Sequence, residues 1–112
     1  MASMIRKLIN KLLGRYIING VYIGERHYEI FQRTKIELEE VYASYSIEQI
    51  LQEANRYRTI ASSTERAKKT TMADEERASN ENANMIATTY ALCLSQIGRE
   101  KLAERYTYIR QP

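Results

Sequence analysis

The strongest constraint on the fold is a repeat near the end of the chain, between residues 72 and 97. Its members are separated by four and three residues in alternation, a spacing that keeps side chains on one face of a helix. They are Met72, Glu76, Ser79, Ala83, Ile86, Tyr90, Cys93 and Ile97. The first half of this stripe is polar or small and the second half is apolar. The pattern predicts one long helix whose C-terminal half packs on the rest of the protein.

A second helix of similar length is predicted directly before the first, over residues 46–69. Ser46 and Gln49 have the spacing of a capping box, in which each residue satisfies a backbone N–H at the start of a helix. The apolar positions that follow are Ile47, Ile50, Ala54, Tyr57 and Ala61. Because both helices are apolar at the end far from the link between them, they predict an antiparallel helical hairpin with a polar tip at residues 62–80. This tip either frays or projects towards a partner.

Shorter elements are predicted on either side of the helical hairpin. The spacing of Phe31, Leu38 and Tyr42 predicts a helix within residues 25–45, although its start also alternates like a strand. After Ile97 the next apolar residue leaves the repeat, so we expect a bend at Gly98 and a short last helix over about 99–109.

The N-terminal third combines an amphipathic helix with a β-hairpin. Residues 3–13 place five apolar side chains at helical spacing: Ile5, Leu8, Ile9, Leu12 and Leu13. The dipeptide Asn19-Gly20 is flanked by β-branched and aromatic residues, and it suits the two-residue turn of a β-hairpin at about 16–23. We expect this hairpin to lie on the helices or to pair with a strand of a partner, because two strands alone are marginally stable.

These elements predict a mostly α protein that forms a single domain over residues 1–112. The expected architecture is a small helical bundle built on the helical hairpin of about 46–69 and 72–97, with residues 1–14 as an amphipathic helix and separable arm. The only proline is Pro112, so no proline interrupts the predicted helices.

The sequence predicts no enzyme, no cofactor and no metal site. It contains no glycine-rich phosphate loop and no paired cysteines or histidines. His27 and Glu29 are two residues apart and therefore do not share a helix face, so they are poor metal ligands. The single cysteine, Cys93, excludes an internal disulfide, favours a reducing compartment and lies on the apolar stripe, where a buried thiol behaves as a small hydrophobe.

We expect a non-enzymatic interaction protein: an adaptor, an inhibitor or a small subunit of an assembly, located in the cytoplasm. Its partner is another protein or its own copies, because a core this small gains buried area by association. The predicted interface residues are Ile47, Ile50, Ala54, Tyr57, Ala83, Ile86, Tyr90 and Ile97. On this hypothesis Ile86→Asp costs both folding and assembly, and no small-molecule substrate is expected.

The alternative is an accessory protein that binds nucleic acid through its basic N-terminal third. Residues 1–35 hold seven basic and two acidic side chains, with tyrosines that could stack on unpaired bases. The predicted contacts are Arg6, Lys7, Lys11, Arg15, Tyr16, Tyr22, Arg26, Arg33 and Lys35. Against this hypothesis, acidic blocks elsewhere are as dense as the basic ones. A third and less favoured hypothesis binds residues 3–13 to a membrane surface.

Overall fold

The protein is mostly helical, as the sequence predicts. A computed structural model describes residues 15–18 and 21–110. This part of the chain forms two strands and three helices: β1 (Arg15–Ile18), β2 (Val21–Gly24), α1 (Glu25–Val41), α2 (Ile47–Ala67) and α3 (Asp74–Arg110). The amphipathic helix predicted for residues 3–13 and the Asn19-Gly20 turn lie outside the described residues.

The strands form in the predicted region and pack on the helices. β1 and β2 are antiparallel, and Ile18 pairs with Val21, so a two-residue loop joins them. Ile18 is buried in the core, and Ile23 is partly buried against it. The side chains of the hairpin thereby obtain the support that two strands alone lack.

Helix α1 begins directly after β2 and packs along α3. Phe31 and Leu38 are buried in the core. The thiol of Cys93 in α3 donates a hydrogen bond of 3.5 Å to the Phe31 carbonyl, and Lys35 Nζ lies 2.9 Å from a carboxylate oxygen of Glu100. Because both contacts advance in the same direction, α1 and α3 run in the same sense along this stretch.

Helix α2 starts with the predicted capping box. The Gln49 amide N–H donates to the Ser46 hydroxyl at 3.1 Å, and the Ser46 N–H donates to the Gln49 side chain at 2.9 Å. One and two turns further on, Ile50 and Ala54 are completely buried.

Residues early in α2 contact residues late in α3, and the reverse. Arg105 of α3 lies 3.2 Å from Glu48 near the start of α2. Near the other end of α2, the Asn80 side chain donates to the Thr64 carbonyl at 2.9 Å. The two helices therefore remain in contact over most of the length of α2.

The bend expected at Gly98 is wrong, because α3 is one helix from Asp74 to Arg110. Gly98 is buried, and a Cβ atom built on it would lie 2.6 Å from Leu51 Cδ2 and 3.2 Å from Leu51 Cγ. Glycine costs a helix about 1 kcal/mol relative to alanine, but here it lets α2 approach closely. It marks a packing contact and not a helix end.

Helix α3 buries two faces, and the stripe predicted from the sequence follows only one of them. Ala87, Ala91 and Leu94 are buried on the face that continues to Gly98 and meets α2. Cys93 and Ile97 are buried on the face that meets α1. The repeat traced the α1 face and missed the α2 face, whose alanines are too small to give a strong hydrophobic signal.

Gly98→Leu tests the close approach of α2 and α3. We expect the free energy of unfolding to fall by about 1–3 kcal/mol, because the added side chain must displace Leu51 and Ile50. Gly98→Ala should cost less, since the gain in helix propensity offsets part of the clash. Urea unfolding measures both variants, and equal stability of Gly98→Leu and wild type would contradict this packing.

Candidate interaction surface

Helix α1 packs on one side of the α2–α3 pair, and one contact with each of these helices marks that side. The Tyr42 hydroxyl, just past the end of α1, donates to Glu53 of α2 at 3.3 Å. Cys93 of α3 donates to the Phe31 carbonyl. Glu53 and Cys93 therefore identify the two helix faces between which α1 lies.

Beyond α1 the same two faces continue with apolar side chains. Ile60 follows Glu53 by seven residues and Ile86 precedes Cys93 by seven, so each shares the face of the residue that marks it. Both displacements point towards the link between α2 and α3. Ile60 is 38% exposed and Ile86 is 45% exposed. Two large apolar side chains thus remain open to solvent along the extension of the groove that α1 occupies.

Two tyrosines close the inner end of this extension. Tyr57 of α2 and Tyr90 of α3 meet edge to face, with ring centroids 5.2 Å apart and ring planes at 74°. Both rings are half-buried and pack against the core. We call the surface formed by Tyr57, Ile60, Ala83, Ile86 and Tyr90 the open groove.

Side-chain amides hold the walls of the open groove together. Asn84 Nδ2 donates to the Ala61 carbonyl at 3.0 Å and lies 2.9 Å from the Thr64 hydroxyl, and Asn80 donates to the Thr64 carbonyl. These partly buried bonds link α2 to α3 where apolar contacts are few. Residues 62–67 and 74–80 of the predicted polar tip are accordingly helical in the structure.

The outer end of the open groove is acidic. Asp74, Glu75 and Glu76 occupy the first turn of α3. Glu76 is seven residues before Ala83, so it lies on the wall of the groove. On the opposite side of the same helix pair, a shallow polar depression is lined by Ala61, Ser62, Glu65, Arg66, Lys69, Asn84 and Thr88. The two sides therefore differ in character: one is apolar with an acidic end and the other is polar with two cations.

Two groups in the core have strongly shifted pKa values. Burial raises the pKa of Tyr42 to about 12, with the Glu53 carboxylate as the next cause. Burial also raises the pKa of the Cys93 thiol to about 12. At neutral pH this thiol is protonated and inaccessible, which suits a packing role. Within the described residues, no cluster of three or more His, Cys, Asp or Glu side chains could hold a metal ion.

The structure divides the eight predicted interface residues by exposure. Three are buried inside the chain, namely Ile50, Ala54 and Ile97; three are half-buried, namely Ile47, Tyr57 and Tyr90; and two are exposed, namely Ala83 and Ile86. Four of them, Tyr57, Tyr90, Ala83 and Ile86, come together in the open groove. Whether any of the eight contacts another chain stays a prediction.

The predicted nucleic-acid contacts are dispersed or already paired. Lys35 forms ion pairs with Glu100 at 2.9 Å and Glu39 at 3.5 Å. Arg26 and Arg33 are exposed on α1. The side chains of the other six residues lie outside the described part of the chain: Arg6, Lys7, Lys11, Arg15, Tyr16 and Tyr22. Nucleic-acid binding stays a prediction.

Ile60 is the residue of the open groove that the sequence analysis missed. It lies next to the stripe of α2 and not on it, between Tyr57 and Thr64. The signal that could have found it is its spacing of three residues from Tyr57 and four from Thr64, which places all three on one helix face.

No protein-family model, curated protein or solved structure matches this chain. Among the described residues, no helix combines the length and the apolar character needed to cross a membrane.

Asn84→Ala tests the polar link between α2 and α3. We expect the free energy of unfolding to fall by about 1–2 kcal/mol, because a partly buried carbonyl and hydroxyl lose their donor. The control is Asn82→Ala, an exposed position on the same helix that gains the same helix propensity. Urea unfolding gives the difference between the variants. Amide hydrogen exchange should also accelerate around residues 61–67 in Asn84→Ala alone, and equal behaviour of the two variants would refute this role for Asn84.

Tyr42 predicts a loss of stability at alkaline pH. Its pKa is about 12 in the folded protein and about 10 in an unfolded chain. The stabilisation that the neutral phenol provides is therefore complete below pH 10 and is lost as the pH rises towards 12. Between these values, wild type should lose about 1–2 kcal/mol more stability than Tyr42→Phe. Parallel stability curves for the two proteins, measured by chemical unfolding, would contradict this assignment.

Proposed function

We propose that the protein is a non-enzymatic interaction protein that self-associates through its open groove, as an adaptor, inhibitor or small subunit of an assembly. Its architecture on this proposal is a small helical bundle built on an antiparallel helical hairpin of α2 and α3. The supporting observation is that Ile60 and Ile86 remain exposed on the two walls of a groove whose inner end is closed by packed tyrosines.

Burial of these side chains supplies the free energy for association. A fully buried isoleucine gains roughly 1.5–3 kcal/mol relative to an exposed one, so each half-exposed isoleucine offers about half of that. A two-fold contact uses the same surface on both copies and therefore doubles every contribution. Ala83 is small and exposed between Ile86 and the outer end of the groove, so it allows a neighbouring helix to approach closely.

Charge favours a second copy as the partner. The end of α2 and the following link are basic, with Arg66, Lys68 and Lys69, whereas α3 begins with three acidic residues. Two hairpins packed groove to groove in opposite directions can place the acidic start of α3 beside the basic end of α2 of the other copy. The four helices then form a bundle around the isoleucines.

Ile86→Asp tests self-association. We expect wild type to exceed the monomer mass of 13.1 kDa in light scattering at high concentration, and Ile86→Asp to remain monomeric because a charge in the contact must be desolvated. Since Ile86 is 45% exposed, folding should be retained, and the helical circular dichroism signal should match wild type. This corrects the expectation from sequence that the variant also costs folding.

The matched control is Thr88→Asp, which places the same charge two residues away on the polar side of the helix pair. It should associate like wild type. A wild-type protein that is monomeric at all concentrations, or loss of association in both variants, would contradict the proposal. Recording absorbance at 260 nm tests the alternative, because the chain has no tryptophan and co-eluting nucleic acid that high salt removes would be conspicuous.

A further inference from the structure

We infer that residues 3–13 of the same chain cover the open groove in the monomer, as a third helix along α2 and α3. The inference deepens the proposed function, since it gives the surface used for self-association an internal competitor. It combines the described groove with the amphipathic pattern of the N-terminal segment.

The segment is attached at the inner end of the open groove. Arg15, the residue next to it in the described chain, pairs with Gly24 directly before α1. Phe31 of α1 lies against Cys93, and Glu25 is six residues before Phe31, about 9 Å back along the helix. Because α1 and α3 run in the same sense, the start of α1 is roughly level with Ile86. A segment that begins there can enter the groove without a linker.

The length of the segment matches the groove. From Ile86 to Glu76 the wall of α3 spans eleven residues, about 15 Å. Residues 3–13 also number eleven and have the same length as a helix. Running away from Arg15, the segment would place Leu12 and Leu13 near Ile86 and its beginning near the outer end.

The apolar stripe of the segment supplies what the groove lacks. Its five members, Ile5, Leu8, Ile9, Leu12 and Leu13, form a face wide enough to contact both walls. This face would remove Ile60 and Ile86 from water, as a helix does when it binds in a groove between two others. The polar face, with Asn10 and the cations, would remain in solvent.

Charge selects this groove over the opposite side of the helix pair. With the direction given above, Arg6 and Lys7 would approach Glu75 and Glu76 at the outer end. The opposite depression is lined by Arg66 and Lys69, which would repel a cationic helix, and it lacks exposed large apolar side chains among its lining residues. Only the open groove offers both the apolar walls and the acidic end.

Covering the groove from within makes self-association conditional. A second copy then binds only the fraction of molecules whose groove is open, so the apparent affinity falls by that fraction. Weakening the segment should strengthen association. This sign distinguishes an internal cover from a segment that contributes to the dimer contact.

Leu8→Asp is the first test, with Asn10→Asp as the control on the polar face of the segment. We expect Leu8→Asp to lower the dimer dissociation constant about tenfold, measured by light scattering or sedimentation over a concentration series, because the open fraction rises. Asn10→Asp should change it less than about threefold. Weaker association of Leu8→Asp would assign the segment to the contact between copies, and an unchanged constant would remove it from the groove; either result overturns the inference.

A disulfide trap tests the cover without relying on dimerisation. Leu12→Cys combined with Ile86→Cys should form an intramolecular disulfide under mild oxidation, whereas Asn10→Cys combined with Ile86→Cys should not. Cys93 can remain, since it is completely buried and its raised pKa keeps it protonated. A disulfide between two chains, or equal trapping of both pairs, would contradict a cover from the same chain.

The two proposals can fail separately. If Ile86→Asp leaves the mass unchanged but the Leu12–Ile86 trap closes, the groove is covered from within and self-association through it is wrong. If Ile86→Asp abolishes association and the trap does not close, the groove binds a second copy and the internal cover is wrong.

Discussion

The close approach of α2 and α3 around Gly98 is the contact on which the rest of the structure depends. Because Gly98 has no side chain, Leu51 and Ile50 of α2 pack directly against the backbone of α3. Ala87 and Ala91 continue the same face with small side chains, so the helices stay close over several turns. Close packing of this kind gains dispersion energy over many atom pairs and fixes the distance between the helix axes. The position of α1, which packs beside this pair, is set by that distance.

Polar contacts extend the pairing to where the apolar core ends. Asn80 and Asn84 bind backbone carbonyls of α2, and these bonds keep the helices side by side near the link. Without them the outer turns of both helices would have little reason to remain together, since few apolar residues are buried there. The groove that holds Ile60 and Ile86 exists because its walls are held by amides and not by the core that the rest of the chain shares.

The sequence predicted the helices and the β-hairpin better than it predicted their packing. Local signals are strong for the capping box of Ser46 and Gln49, and the structure contains it. Gly98 was misinterpreted because a glycine that ends a helix and one that admits a neighbouring helix look alike in a single sequence. The stripe through Ile86 and Cys93 was a correct helix face. Its neighbours differ along its length, however, and α1 covers Cys93 but leaves Ile86 exposed. Only tertiary structure shows where that cover stops.

The incomplete cover over the α2–α3 pair explains why one surface can serve two binding modes. An exposed isoleucine on each wall, a closed inner end and an acidic outer end together favour a cationic amphipathic helix over a flat or polar partner. The chain contains such a segment within reach, and a second copy presents helices of a similar kind. Since both would bury the same side chains, they exclude each other. The balance between them then depends on protein concentration, because contact within one chain is independent of it and contact between chains is not. A small protein with no catalytic motif can in this way remain monomeric when dilute and assemble when concentrated.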